Sequence, residues 1–293
     1  MPSAATTTPL HALSAPLRAK ADDVVCRLRA AAGDTGRVGV AYSGGVDSAT
    51  LAALTAEAVG RERTVLLLAV SPSLARRERR LAHTQAATLG LELVEVSTHE
   101  LDNPSYTANP VDRCYHCKDE MFTRIEDAEA ARLGLAVVAY GENADDAQRV
   151  DRPGARAARE HAVAHPLADA GATKEDVRAI ARAFGLASAD KPAAPCLASR
   201  IPHGEEVTAA KLEQIDVAED AVLAAGFTDC RVRHHGTVAR VEVPADELGH
   251  LADAELRQAL VDGVRAAGFA HVAVDLEGIR SGAFTLQLME APR

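Results

Sequence analysis

Two sets of residues in this 293-residue chain have the types and spacing to do chemistry. The first is Ser43-Gly44-Gly45-Val46-Asp47-Ser48, entered from a short apolar run (Val38, Val40) and followed by the helix-compatible stretch Ser48-Ala-Thr-Leu-Ala-Ala-Leu. In a strand–loop–helix of this kind, backbone N–H groups converge on an anion at the helix N-terminus. Gly44 and Gly45 let the backbone come close, and the Ser43 and Ser48 hydroxyls add donors. A Walker-type loop would carry Gly-Lys-Ser/Thr, and there is no Lys here. The plain alternative is a glycine-rich turn before a helix. The second set is thiol-bearing: Cys114-Tyr-His-Cys117 at the mouth of a helix, and Cys196 in Lys191-Pro-Ala-Ala-Pro-Cys196-Leu-Ala-Ser199-Arg200. A lone C-x-x-C serves zinc binding, redox chemistry and cluster ligation alike. No second C-x-x-C closes a four-sulfur zinc site, though His116 or His203 would complete a mixed one. Three thiolates can also hold three irons of a 4Fe–4S cluster and leave the fourth open. Cys26, in an Ala/Leu-rich helix, and Cys230, entering a strand, read as inert packing residues.

The elements that must position these residues alternate. Val38–Tyr42, Val65–Val70, Leu91–Val96 and Leu135–Tyr140 read as strands, and Ser48–Val59, Leu74–Leu89 and Lys118–Leu133 as helices. Alternation of this kind predicts an α/β parallel sheet covered on both faces, with the glycine loop at the carboxyl end of its first strand. Beyond residues 200–207 the pattern changes. Leu223-Ala-Ala-Gly-Phe227 and Arg265-Ala-Ala-Gly-Phe269 each lead into paired strand candidates, Cys230–Gly236 with Val238–Val243, and His271–Gly278 with Ala283–Leu288. The expectation is a flexible tail over 1–17, an α/β domain over 18–204, and a smaller α+β domain over 205–293.

Bulk composition narrows the class. With 47% apolar and 25% charged residues the chain reads as soluble and globular. A net charge of −10 lacks the basic balance of a nucleic-acid binder, and Arg76–Arg80 reads as a solvated helix face. No run approaches the ~18 apolar residues of a membrane span, and the Ala/Thr/Ser/Pro-rich N-terminus lacks the apolar core of a secretory signal. Five cysteines do not suggest a disulfide scaffold, so a reducing, cytoplasmic setting is expected.

The hexapeptide at 43–48 resembles the PP-loop of ATP pyrophosphatases, which holds the β,γ-pyrophosphate while ATP is cleaved between α and β. Together with RCYHCK at 113–118, GENADD at 141–146, DRPGARAARE at 151–160, KPAAPCLASRIPHG at 191–204 and VRHHGTVARVEV at 232–243, it resembles the LarE family over most of the chain. These are PP-loop sulfur transferases of nickel-pincer nucleotide biosynthesis. The resemblance implies a PP-loop ATP pyrophosphatase domain that uses ATP and Mg²⁺ to adenylate a carboxylate of pyridinium-3,5-biscarboxylic acid mononucleotide. Sulfur then replaces AMP. It implies that Ser43, Gly44, Gly45 and Ser48 hold the phosphates and that Asp47 orients the loop or holds the metal, with Gly141 near the nucleotide and Asp145, Asp146 or Asp151 as further metal or capping carboxylates. Cys114, Cys117 and Cys196 fit the three-cysteine version of the family, in which a 4Fe–4S cluster ferries sulfide from a donor. In the other version a single cysteine, here Cys196, is sacrificed. Ser199 and Arg200 follow Cys196, and Arg200 has the chemistry to pair with a substrate anion and activate a thiol. From Arg231, Arg233, His235, Arg240 and Arg280, the choice for the mononucleotide phosphate is Arg233, Arg240 and Arg280. A homo-oligomer is implied by the same resemblance; the charge balance and the lack of a long apolar run lead us to expect neither nucleic acid nor membrane as partner. The alternatives are a tRNA thiolase, an amide-forming synthetase of the GMP or NAD type, which leaves the three cysteines without a task, and a non-enzymatic nucleotide-sensing or cluster-carrying module.

Overall fold

The computed structural model describes residues 9–147 and 153–280. The chain divides into two compact units. One comprises residues 1–71, 78–98 and 114–194, the other 72–77, 99–113 and 195–293.

In the first unit, β1 (Arg37–Ala41), β2 (Thr64–Val70), β3 (Glu92–Ser97) and β4 (Leu135–Tyr140) form an all-parallel sheet in the order β3-β2-β1-β4. Each strand lies within two residues of its expected bounds. The inner strands read as nearly continuous apolar runs because a parallel sheet is covered on both faces. Val38, Val40 and Val65 through Leu67 are fully buried, each side chain worth about 1.5–3 kcal/mol. Helices Ala15–Ala32, Val46–Val59, Arg76–Leu89, Arg113–Arg124 and Lys174–Ala183 supply the cover. The helix expected over 118–133 starts earlier, at Arg113, and passes into a π-helical turn, Ile125–Ala130, before ending at Leu133. Gly134, at φ +64, stops it.

The strand order places the glycine loop. β2 and β3 extend the sheet to one side of β1, whereas β4 lies on the other. The connections after β1 and β4 therefore diverge at their carboxyl ends, and that crevice is where open α/β sheets bind ligands.

In the second unit β5 (Arg231–His235) pairs antiparallel with β6 (Val238–Glu242), which pairs parallel with β7 (His271–Val274). Helices Ala209–Ala224 and Ala254–Ala266 contribute Ala218, Val222, Leu260 and Val264 to one apolar cluster with Val232, Ala239 and Val241. The two Gly-Phe repeats enter the same cluster through Phe227 and Phe269. The strand expected at Ala283–Leu288 lies outside the described residues, as do Asp151 and tail residues 1–8. Pro9–Ala12 forms one 3-10 turn that buries Leu10.

Candidate active site

Helix Val46–Val59 opens with Gly45 at its N-cap and no side-chain cap bond. Its first-turn N–H groups have no intrahelical acceptor, the arrangement that receives a phosphate. Gly44 turns the chain at φ +71, a region that side chains disfavour. The loop is braced from within: the Ser43 N–H donates to Ser48 Oγ (3.2 Å), and Ser48 Oγ donates to the Gly45 carbonyl (3.1 Å). Beneath it, buried Tyr42 donates its hydroxyl to Gln85 (2.9 Å), and burial pushes that phenol's pKa up.

Gly141 ends β4 against this loop. A Cβ there would lie 2.9 Å from the Ser48 nitrogen and 3.0 Å from the Asp47 carbonyl carbon, so only glycine fits. The next turn delivers Asn143, itself buried. Its Nδ2 donates to Asp47 Oδ1 (3.2 Å) and to Asp146 Oδ2 (2.8 Å). Asp47 Oδ2 accepts from Lys174 Nζ at 2.5 Å, while the Lys174 backbone N–H donates to Asp145 (2.8 Å). Asn143 thus links Asp47 to Asp146, and Lys174 links Asp47 to Asp145. Mg²⁺ is ordinarily held by one or two carboxylates together with substrate phosphates, and Asp47 and Asp146, which share Asn143, have that chemistry.

Asn143 and Lys174 were missed from sequence. Thr173 and Asp176 form a capping box that marks the start of helix Lys174–Ala183. Nothing local shows that the lysine at its first position returns to Asp47, 127 residues away.

All five cysteines are unbridged. Cys114 and Cys117, three residues apart at the start of helix Arg113–Arg124, share one helical face. Cys114 is exposed and Cys117 half-buried, and both belong to the first unit. Cys196 is exposed and belongs to the second unit. Among the described residues no group of three or more His, Cys, Asp or Glu side chains is assembled to hold a metal ion. Cys230 is buried as expected, its thiol pushed up to about 12 by burial. Cys26 departs from expectation, lying exposed rather than packed.

The arginines are more deeply engaged than their sequence suggests. Arg200 is 1% exposed. Its Nε and Nη2 donate to Glu219 (2.8 and 3.1 Å), and its Nη1 to the Pro195 and Cys196 carbonyls and to Ser199 Oγ. Arg233 is buried and makes a bidentate pair with Glu242 (2.9 and 2.7 Å), its Nη1 donating to the Ser199 carbonyl. Arg240 pairs with Asp275 and Glu242, and exposed Arg280 with Glu277 (2.5 Å). Buried Arg231 bonds Asp229 and the Cys230 carbonyl. For His235, burial and then Arg240 hold the pKa below the usual histidine value. Arg77, expected on a solvated face, instead turns inward to Glu219 at 2.9 Å.

Comparison with known proteins fits this loop. The NAD synthase family model matches residues 26–139, the segment carrying β1 to β4 and the phosphate loop. An uncharacterised protein of Synechocystis sp. is 40% identical over 255 residues, covering 87% of this chain and 94% of its own. The pyridinium-3,5-bisthiocarboxylic acid mononucleotide synthase of Lactiplantibacillus plantarum is 32% identical over 267 residues, 90% of this chain and 94% of its own. The chain belongs to the LarE family. An uncharacterised protein of Methanocaldococcus jannaschii, 28% identical over 242 residues, is a further relative. Like the family, this chain is an ATP-using sulfur transferase built on a PP-loop domain.

Proposed function

We propose that the protein converts pyridinium-3,5-biscarboxylic acid mononucleotide into a thiocarboxylate at the expense of ATP, releasing AMP and pyrophosphate. The observation that carries this reading is the uncapped helix N-terminus at 43–48 with Asp47 beside it, in a chain whose relative is a synthase of the bisthiocarboxylate. A substrate carboxylate oxygen attacks the α-phosphorus of ATP, the bond from that phosphorus to the α,β-bridging oxygen breaks, and pyrophosphate departs carrying that oxygen. Charge builds on the departing group, so fixed donors and Mg²⁺ serve this step better than a general base does. The Ser43–Ser48 loop supplies donors, Asp47 and Asp146 would hold the metal, and Lys174 adds a cation that the loop itself lacks.

Sulfur then replaces AMP at the acyl carbon. In one version the Cys196 thiolate attacks that carbon and AMP leaves, giving a thioester. Loss of the Cys196 α-proton to a base then breaks the Cβ–S bond, leaving dehydroalanine and releasing the thiocarboxylate. This route needs only the Cys196 thiol, which is exposed. In the other, Cys114, Cys117 and Cys196 would hold a 4Fe–4S cluster, which would supply the sulfide. That version is supported by the three-cysteine pattern and by two thiols on one helical face. Anaerobic iron and acid-labile sulfide assays decide between them, combined with turnover of the Cys114→Ala/Cys117→Ala variant. Iron and sulfide in stoichiometric amounts with loss of multiple turnover support the cluster. Unchanged activity and one dehydroalanine per product support sacrifice of Cys196.

A further inference from the structure

Glu219 lies in the middle of helix Ala209–Ala224 with no exposed surface. A buried carboxylate is costly unless its oxygens are satisfied, and here four donors converge on it. Arg200 binds both oxygens, Arg77 Nη2 approaches Oε2 at 2.9 Å, and the Val232 N–H reaches Oε1 at 3.0 Å. Burial opposes ionisation, yet Arg200 and Arg77 hold its pKa below the usual carboxylate range.

The far edge of the Arg200 guanidinium faces the turn that carries the exposed thiol. Its Nη1 donates to the Pro195 and Cys196 carbonyls, which flank the Cys196 α-carbon (2.7 and 3.2 Å), and to Ser199 Oγ (2.9 Å). The Leu197 N–H donates to the Ser73 carbonyl (2.9 Å), and the Ser199 N–H to the Cys196 carbonyl (3.0 Å). Guanidinium groups are rigid forks, so a fork clamped at one edge fixes whatever its other edge holds. A buried ion pair adds little net stability over well-packed apolar groups, so stability alone does not account for this one. Geometry does: every acceptor of Nη1 belongs to the segment containing Cys196.

We propose that Glu219 is a positioning residue for sulfur delivery, acting through Arg200 to hold the 195–199 turn in the shape that presents the Cys196 thiol. The inference rests on Cys196 taking part in sulfur transfer and holds for either sulfur source. Arg200 thereby acts by anchoring the turn rather than by meeting the substrate.

The test compares Glu219→Gln with Asp216→Asn in the full-length protein. Asp216 is a second buried carboxylate one turn earlier on the same helix, and its partner is Arg76, which does not touch the turn. Both variants remove a buried charge, but only the first releases the fork. For Glu219→Gln we expect single-turnover thiocarboxylate formation to fall about ten- to a hundredfold, the range for a misplacement of ~1 Å. The KM for ATP should stay unchanged, and the Leu197 and Ser199 amides should exchange faster with solvent. Asp216→Asn should match the wild type in all three. A Glu219→Gln variant at wild-type rate overturns the proposal, as does an equal loss in Asp216→Asn. Should the wild type form no thiocarboxylate, the functional reading falls instead. Amide exchange then judges the anchor alone: unchanged protection at Leu197 and Ser199 in Glu219→Gln overturns it.

Discussion

Single residues carry the phosphate site. Ser48 both receives the Ser43 N–H and braces Gly45, so Ser48→Ala loses a donor and the loop's internal support. Removing one preorganised donor of this kind costs about 10²–10³ in rate, about 2.7–4 kcal/mol, and AMP formation should fall by that much while the melting temperature holds. Gly141→Ala should act at the same step, because its Cβ would meet the Ser48 nitrogen at 2.9 Å. Its expected signature is weakened ATP binding, checked by calorimetry. Thiol reactivity makes a further prediction. Exposed Cys26, Cys114 and Cys196 should be alkylated in the native protein at pH 8, whereas Cys230, with its thiol pushed up to about 12, should resist until unfolding. The serines, glycines and Asp47 of the loop were legible because their spacing is local. Lys174, Asn143 and Glu219 were not, since each acts on a partner that is remote in sequence, and a lysine or glutamate on a helix ordinarily reads as solvated.

At the scale of elements, periodicity located the four parallel strands because apolar runs flanked by helices admit few other arrangements. The start of helix Arg113–Arg124 was hidden by its polar first turn, and its π-helical end has no signal in the pattern of apolar residues. Charge pairing between elements was equally illegible. Glu95 on β3 accepts from Arg79 and His83 on helix Arg76–Leu89. The hydrogen bonds from Arg79, then from His83, hold its pKa at about 2 against an ordinary value of 4.5. A folded pKa below the unfolded one means that the stabilisation is complete above pH 4.5 and is lost as pH falls toward 2. Glu95→Gln should therefore flatten the decline of melting temperature across that window and leave the slope above it unchanged. An unaltered acid profile would show that the pair contributes nothing, as many exposed pairs do.

Over the whole molecule, two compact units divide the candidate residues: the 43–48 loop and the Cys114–Cys117 pair fall in one, Cys196 and the Arg200–Glu219 pair in the other. Segments 72–77 and 99–113 belong to the second unit through contacts such as Leu197 N–H to the Ser73 carbonyl and Val207 N–H to the Thr107 carbonyl. No composition shift announces them, because short connections carry too few residues to show which core they join. None of the helices among the described residues is long and apolar enough to cross a membrane. In the proposed reaction ATP is spent by adenylation of a carboxylate ahead of sulfur transfer. Its most direct test is phosphorus NMR of the wild-type protein with Mg-ATP, with and without pyridinium-3,5-biscarboxylic acid mononucleotide. AMP and pyrophosphate should appear in equal amounts, only when the mononucleotide is present, and Asp47→Ala should abolish both. Release of ADP and inorganic phosphate, or AMP formation indifferent to the mononucleotide, would contradict this reaction.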